Sequence, residues 1–206
     1  MEKAITNAEE MMYKIKMLES KSIKSRTLKL IVNTLYEKSE RDDLHSKGVS
    51  KICKLIGNTM GMSKEKISEL EILGDIHDIG KVGVSQNILN KVGELSEEEW
   101  EEIRKHPQIG YHIVSSSSDI SFLGESVLTH HEKYDGSGYP KGLKGDEIPL
   151  MARILSVADA YDAMVSYRPY RKTKTRNEAI EELRKYSGTQ FDPKIVEIFI
   201  SKVINI

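Results

Sequence analysis

Apolar residues recur every three or four positions along most of the chain, which is the spacing that places them on one face of an α-helix. The clearest stretches span residues 49–56, 67–73, 100–103, 155–162, 180–183 and 196–199. No run of alternating apolar and polar residues indicates a strand, and no internal repeat is present. The pattern therefore predicts an all-α fold, a helical bundle, with loop-rich regions at residues 80–95 and 132–150.

Several of these helices are preceded by side chains that can bind their first backbone amides. The predicted caps are Ser63, Ser96 with Glu99, Thr175 with Glu178, and Asp192 before Pro193. The two Ser/Thr–Glu pairs have the spacing of a capping box. Pro107 disfavours helical geometry in the residue before it. We therefore expect the helix that contains Trp100 to end near His106.

Residues 1–40 differ from the rest because they are polar, rich in Lys and Glu, and poor in core-like positions. Two interpretations stay open. The segment is a solvated helix that packs on the main body, or it is a signalling or dimerising helix that follows an upstream sensory domain in a longer parent protein. Either way, we expect residues 1–40 to form a linker or signalling helix and residues 41–206 to form the main domain.

Composition narrows the class of protein. The chain has 206 residues, of which 38% are apolar and 31% charged, with a formal net charge of −1. This balance suits a soluble helical protein and offers no basic excess for binding a nucleic-acid polymer. No run of about 18 apolar residues predicts a membrane span. The start, MEKAITNAEE, is not a secretory signal, and the single cysteine, Cys53, fits a reducing compartment. We expect a cytoplasmic location.

Histidine is scarce, with six in the chain, yet most of them occupy apolar settings. His45 lies four residues before Val49, and His77 lies four after Leu73, so both fall on apolar helix faces. One such histidine is more often a hydrogen-bonded core residue than a metal ligand. A shared cation would satisfy seven polar side chains that are costly to bury singly: His45, His77, Asp78, His106, His130, His131 and Asp159.

The donor types restrict the metal. Imidazole and carboxylate without thiolate favour iron, manganese, zinc or nickel over Cu(I), and disfavour a pure magnesium or calcium site. Seven side chains are too many for one ion that keeps an open position. They suit two ions bridged by one carboxylate, which is the usual device for in-line attack at phosphorus. We therefore expect two divalent transition-metal ions, iron or manganese first, with zinc or nickel as alternatives.

Two motifs carry a family resemblance. His77-Asp78-Ile79-Gly80-Lys81, and HHE at 130–132 followed by GYP at 138–140, resemble the two signatures of the HD-GYP family, a branch of the HD superfamily of metal-dependent phosphohydrolases. The similarity continues through ILNKVGELSEEEWEEIRKHPQIG, KGLKGDEIPLMARILSVADAYDAM, RPYR and GTQFDP. It covers roughly residues 30–200, and its several motifs occur in the family's order.

The resemblance implies an HD-type helical bundle with a metal site between helices. It also implies a role for each matching ligand, with Asp78 as the bridge between the two ions. The first ion would be held by His45, His77 and Asp78, the second by His106, His130 and His131, with Asp159 as the last ligand. His112 matches no ligand, and we expect it to be structural or exposed.

The resemblance further implies contacts with substrate. Lys81 matches a lysine that lies against the scissile phosphate, so it joins Asp78 as a catalytic residue. Tyr139 should border the ligand, and Arg168 and Arg171 fall where the family binds phosphate oxygens, a task that suits the bidentate fork of arginine. Asp162 either reaches the same cavity as a substrate-binding residue or makes a structural hydrogen bond.

Two departures from the family pattern bear on the site. The family often has arginine where this chain has Gly48, which loses a cation and weakens the helix by up to about 1 kcal/mol relative to alanine. Some members bind a third metal through a glutamate one turn before the first histidine. Here that position is Arg41, whose charge would repel a third ion, although Asp42 could partly substitute. The prediction is therefore two metals.

Together these observations predict a cyclic di-GMP phosphodiesterase that forms linear pGpG, with further cleavage to GMP left open, in bacterial second-messenger signalling. The expected partner is a cyclic dinucleotide substrate, with no nucleic-acid polymer, no membrane, and a homodimer through the N-terminal helix as an open alternative. Two rival functions remain. One is a phosphohydrolase for another nucleotide, and the other is a non-catalytic module that senses a cyclic dinucleotide or docks on a protein.

Overall fold

Helices account for nearly all regular structure in the part of the chain that the computed structural model describes, residues 40–166 and 173–204, with backbone alone at residues 40–42. We name its α-helices in chain order: α1 Glu40–Thr59, α2 Lys64–Ile76, α3 Gln86–Leu89, α4 Glu97–Ile103, α5 His106–Ser115, α6 Gly124–Leu128, α7 Leu150–Val165, α8 Arg176–Lys185 and α9 Pro193–Ile198. Short 3-10 helices span Ile79–Gly83, Ser121–Leu123 and Gly145–Glu147, and a π-helical turn spans Phe199–Val203. Within these residues β-structure is limited to an isolated bridge between Ser187 and Phe191, so the predicted all-α fold is confirmed.

The core lies where α1, α2 and α7 pack together. The apolar stripe predicted on α1 is buried at Val49, Cys53 and Ile56, and that on α2 at Leu70 and Leu73. Burial of these side chains removes apolar surface from water, at about 25 cal/mol per Å². The stripes therefore hold together the helices that carry the polar site residues.

The predicted caps are confirmed. The side chains of Ser63 and Asp192 accept hydrogen bonds from backbone amides in the first turns of α2 and α9. Ser96 and Thr175 each form a capping box with the glutamate three residues later. These starts were predictable because each cap depends on residues only two or three positions apart.

The prediction that the Trp100 helix runs to His106 is wrong. Helix α4 ends at Ile103, and His106 is the first residue of α5, which has Pro107 in its first turn. Proline is tolerated there because the first amides of a helix have no partner within it. His106 therefore opens a helix, where its side chain is fixed by the turn that separates α4 from α5.

The two predicted loop regions differ in content. Residues 80–95 contain most of the Ile79–Gly83 turn and the short helix α3, so they are more ordered than expected. Residues 132–149 contain only the 3-10 helix Gly145–Glu147 before α7 begins at Leu150.

The proposed segment 1–40 and its boundary fall on residues whose side chains lie outside the described part of the chain, so they stay predictions. None of the described helices combines the length and hydropathy needed to cross a lipid bilayer.

Candidate metal centre

Helix ends and helix interiors from across the chain bring the seven predicted ligands into one cluster. Their positions are His45 within α1, His77 and Asp78 directly after α2, His106 at the start of α5, His130 and His131 just after α6, and Asp159 within α7. The ligand atoms of six of them form two overlapping groups in which all atoms lie within 4.8 Å of one another. The cluster is therefore assembled by packing rather than by any single motif.

The first group, which we call the carboxylate-rich group, consists of His45, His77 and Asp78, with Asp159 beside it. The Nε2 atom of His77 lies 3.4 Å from Oδ2 of Asp78 and 3.9 Å from Oδ1 of Asp159. The same Asp159 oxygen lies 3.0 Å from Nε2 of His45. Two histidine nitrogens thus face oxygens of two carboxylates.

The second group, the histidine-rich group, consists of Asp78, His106, His130 and His131. The Nε2 atom of His106 lies 3.3 Å from Nε2 of His130, 3.1 Å from Nε2 of His131 and 3.3 Å from Oδ1 of Asp78. Asp78 therefore belongs to both groups and turns one oxygen toward each, Oδ1 to His106 and Oδ2 to His77.

Three of the histidines are oriented in the same way. The Nδ1 atoms of His77, His106 and His130 lie 2.8, 2.7 and 2.6 Å from the carbonyl oxygens of Gly74, Ile103 and Val127. A carbonyl can only accept, so each Nδ1 carries a proton, and Nε2 is the atom that presents a lone pair when the ring is neutral. This is the arrangement in which a protein holds a metal-binding imidazole.

The residues present fit bound divalent cations. The Nε2 atom of His77 is buried and has no hydrogen-bond partner in the described structure, which costs free energy unless a ligand satisfies it. The 3.3 Å contact between the Nε2 atoms of His106 and His130 cannot be a hydrogen bond when both ring protons are on Nδ1. Neighbouring ligands with bonds of about 2.1 Å to one ion lie about 3 Å apart, so the donor spacing suits a cation.

Electrostatics keep Asp78, His130 and His131 in the forms that bind metals. Burial alone would raise the pKa of Asp78, but Lys81 and His77 hold it well below its usual range. Burial lowers the pKa of His130 well below its usual range, and burial with the nearby His106 lowers that of His131 to about 4. At neutral pH the carboxylate of Asp78 is therefore anionic and the imidazoles of His130 and His131 are neutral, as ligation would require.

Lys81 lies beside the carboxylate shared by the two groups. Its Nζ is 2.5 Å from Oδ2 of Asp78, and about a third of its side chain is exposed. Gly80, next to it, packs so tightly that a Cβ there would lie 1.9 Å from the carbonyl oxygen of His106. Only glycine permits this approach of the 3-10 turn to α5, which sets Asp78 and Lys81 against His106.

Tyr139 covers one side of the histidine-rich group. Its ring stacks on His131, with 5.0 Å between ring centroids and an interplanar angle of 26°. Burial, together with the negative charge of Asp78, raises the pKa of its phenol to about 12. The phenol therefore stays protonated and can donate a hydrogen bond at the border of the site.

The loop that carries Tyr139 is held by Glu132, a residue to which the motif analysis gave no role. Glu132 is 3% exposed, and its carboxylate accepts hydrogen bonds from the backbone amides of Lys141, Gly142 and Leu143 at 2.6–3.1 Å. The only signal in the sequence was an acidic residue between the histidine pair and a loop rich in backbone amides.

The other residues singled out in the sequence differ in where the structure places them. Asp162 is 7% exposed, and its carboxylate contacts Nδ1 of His45. His112 is exposed and belongs to neither donor group, consistent with its predicted lack of a ligand role. Arg168 and Arg171 lie outside the described residues, so their roles as phosphate contacts stay predictions.

Comparisons with known proteins agree with the geometry. Residues 10–195 match the model of a family described as HD domain. A cyclic di-GMP phosphodiesterase of Thermotoga maritima is 44% identical over 173 residues, which is 82% of this chain and 47% of the relative. A 3'3'-cGAMP-specific phosphodiesterase 2 of Vibrio cholerae is 34% identical over 172 residues, 82% of this chain and 33% of the relative. The chain thus spans less than half the length of these curated relatives.

A solved structure supports the fold. The crystal structure of a cyclic GMP-AMP specific phosphodiesterase of V. cholerae, V-cGAP3, superposes with a TM-score of 0.64 at 19% identity, covering 86% of this chain and 47% of that one. At this identity the likeness concerns the fold alone. It confirms that the helices are arranged as the family resemblance implied.

Proposed function

Because the chain belongs to the HD domain family, we propose that it hydrolyses one phosphodiester bond of cyclic di-GMP and releases linear pGpG. The observation that carries this proposal is the carboxylate of Asp78, which turns Oδ1 to the histidine-rich group and Oδ2 to the carboxylate-rich group. A shared carboxylate between two groups of buried imidazoles is the ligand pattern of a two-ion phosphohydrolase.

Two divalent ions fit the donors, with iron or manganese favoured by the mixture of imidazole and carboxylate. His45, His77 and Asp159 would hold one ion, His106, His130 and His131 the other, and Asp78 both. When bound, such ions activate water for attack at phosphorus and offset the charge that develops there.

The protein's own groups account for the rest of the chemistry. Lys81 places an ammonium beside Asp78 on the partly exposed side of the cluster, where it can contact a phosphate oxygen. A preorganised cation in that position stabilises charge that grows in the transition state. Water adds to phosphorus and the bond from phosphorus to the ribose 3′ oxygen breaks, which leaves a 5′-phosphate and a 3′-hydroxyl on the linear product.

Substrate orientation belongs to residues at the border of the site. Tyr139, whose phenol is protonated, can donate to the phosphate or sugar, and its ring is fixed by stacking on His131. Arg168 and Arg171 are proposed to bind the second phosphate. A dimer through residues 1–40, an upstream sensory domain and a cytoplasmic location are further parts of this proposal, carried by the sequence pattern.

A second candidate substrate is cyclic GMP-AMP. It is favoured by the 34% identity to a V. cholerae enzyme whose name states that specificity. Both substrates offer the same phosphodiester bonds and differ in one base, so the proposed metal centre serves either. A non-catalytic sensing module is disfavoured because all seven predicted ligands are present and lie together.

The test combines metal analysis with turnover. Protein stripped with chelator and reloaded with Fe²⁺ or Mn²⁺ should reach a plateau near two ions per chain by elemental analysis. Chromatography should then show cyclic di-GMP converted to the linear dinucleotide, at a higher kcat/KM than cyclic GMP-AMP. A plateau at one ion or below refutes the two-ion site. Faster turnover of cyclic GMP-AMP reverses the substrate assignment, and a fully loaded protein that cleaves neither refutes both assignments in favour of another nucleotide substrate or a sensing module.

A further inference from the structure

His45 is oriented differently from the other buried histidines of the site. His77, His106 and His130 donate from Nδ1 to carbonyl groups of Gly74, Ile103 and Val127. Each of these carbonyls lies in the last turn of a helix, where no later amide of that helix can bond it. A histidine at a helix end can therefore use a free backbone acceptor.

No such acceptor is available to His45 because it lies inside α1, Glu40–Thr59. Carbonyls in a helix interior are already bonded to amides four residues later. The Nδ1 atom of His45 instead lies 2.6 Å from Oδ2 of Asp162, on α7. This leaves Nε2 facing Asp159 and the rest of the carboxylate-rich group.

Asp162 is held in place by more than this contact. Its Oδ2 also accepts a hydrogen bond from the hydroxyl group of Ser166, at 3.0 Å, and the residue is 7% exposed. An almost buried carboxylate with these two donors is directed at His45 rather than at open solvent.

Gly48 creates the space for this carboxylate. A Cβ at position 48 would lie 2.1 Å from Oδ1 and 2.8 Å from Cγ of Asp162. These distances are far shorter than a van der Waals contact, so any side chain at 48 would displace Asp162. Gly48 is mid-helix, where glycine is otherwise unfavourable, and the close approach of α7 provides a physical reason for it.

From this geometry we propose that Asp162 is a positioning residue for the metal centre, which orients His45 through Nδ1, and that Gly48 is the residue that permits it. The inference rests on the proposed metal site. It assigns to Asp162 an action on a ligand rather than on the substrate, and it gives the departure at position 48 a role in metal binding.

The affinity of the protein for Zn²⁺ alone tests this inference, with competition by a chelator indicator as the measurement. Loss of an outer partner of a metal-binding histidine typically weakens binding by about 10- to 100-fold. We expect a loss of this size for Asp162→Ala at the ion that the carboxylate-rich group would hold, and a comparable loss for Gly48→Ala. Because both changes break the same contact, the double variant should bind no more weakly than Asp162→Ala alone.

Three control variants separate orientation from general disruption. Ser166→Ala keeps the contact between Asp162 and His45 and should stay within about threefold of the parent affinity. Gly57→Ala makes the same change on the same helix, but its methyl group meets side-chain carbons of Leu70 and Ile67, and it should also bind Zn²⁺ like the parent. Asp162→Asn keeps an acceptor oxygen for Nδ1, so it should lose less affinity than Asp162→Ala and provides the test if the alanine variant does not fold.

A second measurement reports on His45 directly. Nitrogen-15 NMR of the zinc-loaded protein should show one sharp set of His45 signals, with zinc on Nε2 and the proton on Nδ1, in the parent and in Asp162→Asn, and broadened or multiple His45 signals in Asp162→Ala and Gly48→Ala, where the ring orientation is no longer fixed.

The outcomes that overturn the inference differ from those that overturn the proposed function. Parent-like zinc affinity in Asp162→Ala, with a raised KM for cyclic di-GMP, would make Asp162 a substrate contact. Equal behaviour of Gly48→Ala and Gly57→Ala would remove the role of Gly48. A parent protein that binds no zinc would refute the metal site itself, and with it both proposals.

Discussion

The two donor groups share Asp78 but solve the problem of buried polar atoms in opposite ways. In the carboxylate-rich group, His45 contacts Asp159 at 3.0 Å and Asp162 at 2.6 Å. Burial would lower the pKa of His45, but hydrogen bonds to these two carboxylates raise it to about 9. His45 is therefore paired within the protein even without a cation, whereas the buried Nε2 of His77 in the same group has no hydrogen-bond partner in the described structure.

The histidine-rich group has fewer carboxylate partners within the protein. Three imidazoles lie with Nε2 atoms 3.1 and 3.3 Å apart around His106, and Asp78 is the carboxylate they share. Burial, aided by neighbouring histidines, lowers the pKa of His130 and His131. The Nε2 lone pairs of His106 and His130 face each other because both rings donate from Nδ1 to carbonyls, so these two rings are arranged for a cation rather than for the stability of the metal-free chain.

The difference teaches that the cluster is built for function at some cost in stability. The half of the site that depends on a cation should lose the most order without one. The half that is paired by carboxylates should contribute to folding with or without metal. The following experiments test this contrast, in order of expected effect.

The largest effect should follow the loss of the residue that both groups share. Asp78→Ala should lower turnover of cyclic di-GMP by more than about 1000-fold and reduce the content of both metals, because a carboxylate that serves two ions is replaced by none. Elemental analysis and a chromatographic assay measure the two effects. Asp135→Ala, which removes an exposed carboxylate that bonds only its own loop in the described structure, should match the parent. Retention of both ions in Asp78→Ala would show that Asp78 is not the bridge.

Lys81 should separate catalysis from metal binding. Lys81→Ala should keep both ions and lower kcat by about 100-fold, since removal of one preorganised group that stabilises transition-state charge typically costs that much. Lys54→Ala removes a lysine of an exposed ion pair with Glu71 and should leave kcat unchanged. Wild-type kcat in Lys81→Ala would contradict the proposed contact with phosphate.

Unfolding of the metal-free protein compares what the two groups contribute to its stability. In excess chelator, His45→Ala should lower the free energy of unfolding by about 2 kcal/mol, because it strips a charged hydrogen bond from the nearly buried Asp162. His131→Ala should cost less, about 1 kcal/mol, because it removes a contact between two neutral imidazoles rather than a bond to a carboxylate. Urea unfolding measures both variants. A larger loss in His131→Ala would reverse the contrast between the groups.

The smallest expected effect concerns the product pattern. It is measured as the ratio of the rate at which pGpG forms to the rate at which pGpG is cleaved to GMP. The described residues offer two donor groups, and two ions suffice for one in-line cleavage. The linear product carries an added terminal phosphate charge and needs further positive charge to bind again productively. We therefore expect pGpG to accumulate in a time course under excess metal. Rapid formation of GMP without accumulation would refute the single cleavage and reopen the question of a third metal.

Much of the fold could be predicted from local patterns. The apolar spacing on α1 and α2 identified buried Val49, Ile56 and Leu70 because a helix face is set by residues three or four apart. The capping boxes at Ser96 and Thr175 were equally local. The end of the Trp100 helix was mispredicted because proline disfavours a preceding helical residue and also favours the first turn of a new helix, and the sequence does not say which applies.

The candidate site could be predicted as a set of residues but not as an arrangement. The motifs named the seven ligands, and their proximity is an observation of the fold, while their roles stay predictions. Gly48 was interpreted as a lost cation, and the contact that makes glycine necessary there involves Asp162, 114 residues away by number. Glu132 received no role because its partners are backbone amides, which every loop possesses.

By itself the sequence determined which donors are present, that the chain is helical, and where most helices begin, because these depend on residue type and on spacings of a few positions. Tertiary structure alone decided that Asp78 turns one oxygen to each group, that helix-end carbonyls hold three of the histidines, and that α7 approaches α1 closely enough for Asp162 to reach His45. The physical reason is that ligand geometry depends on contacts between distant helices, whose relative positions follow from packing of the whole core.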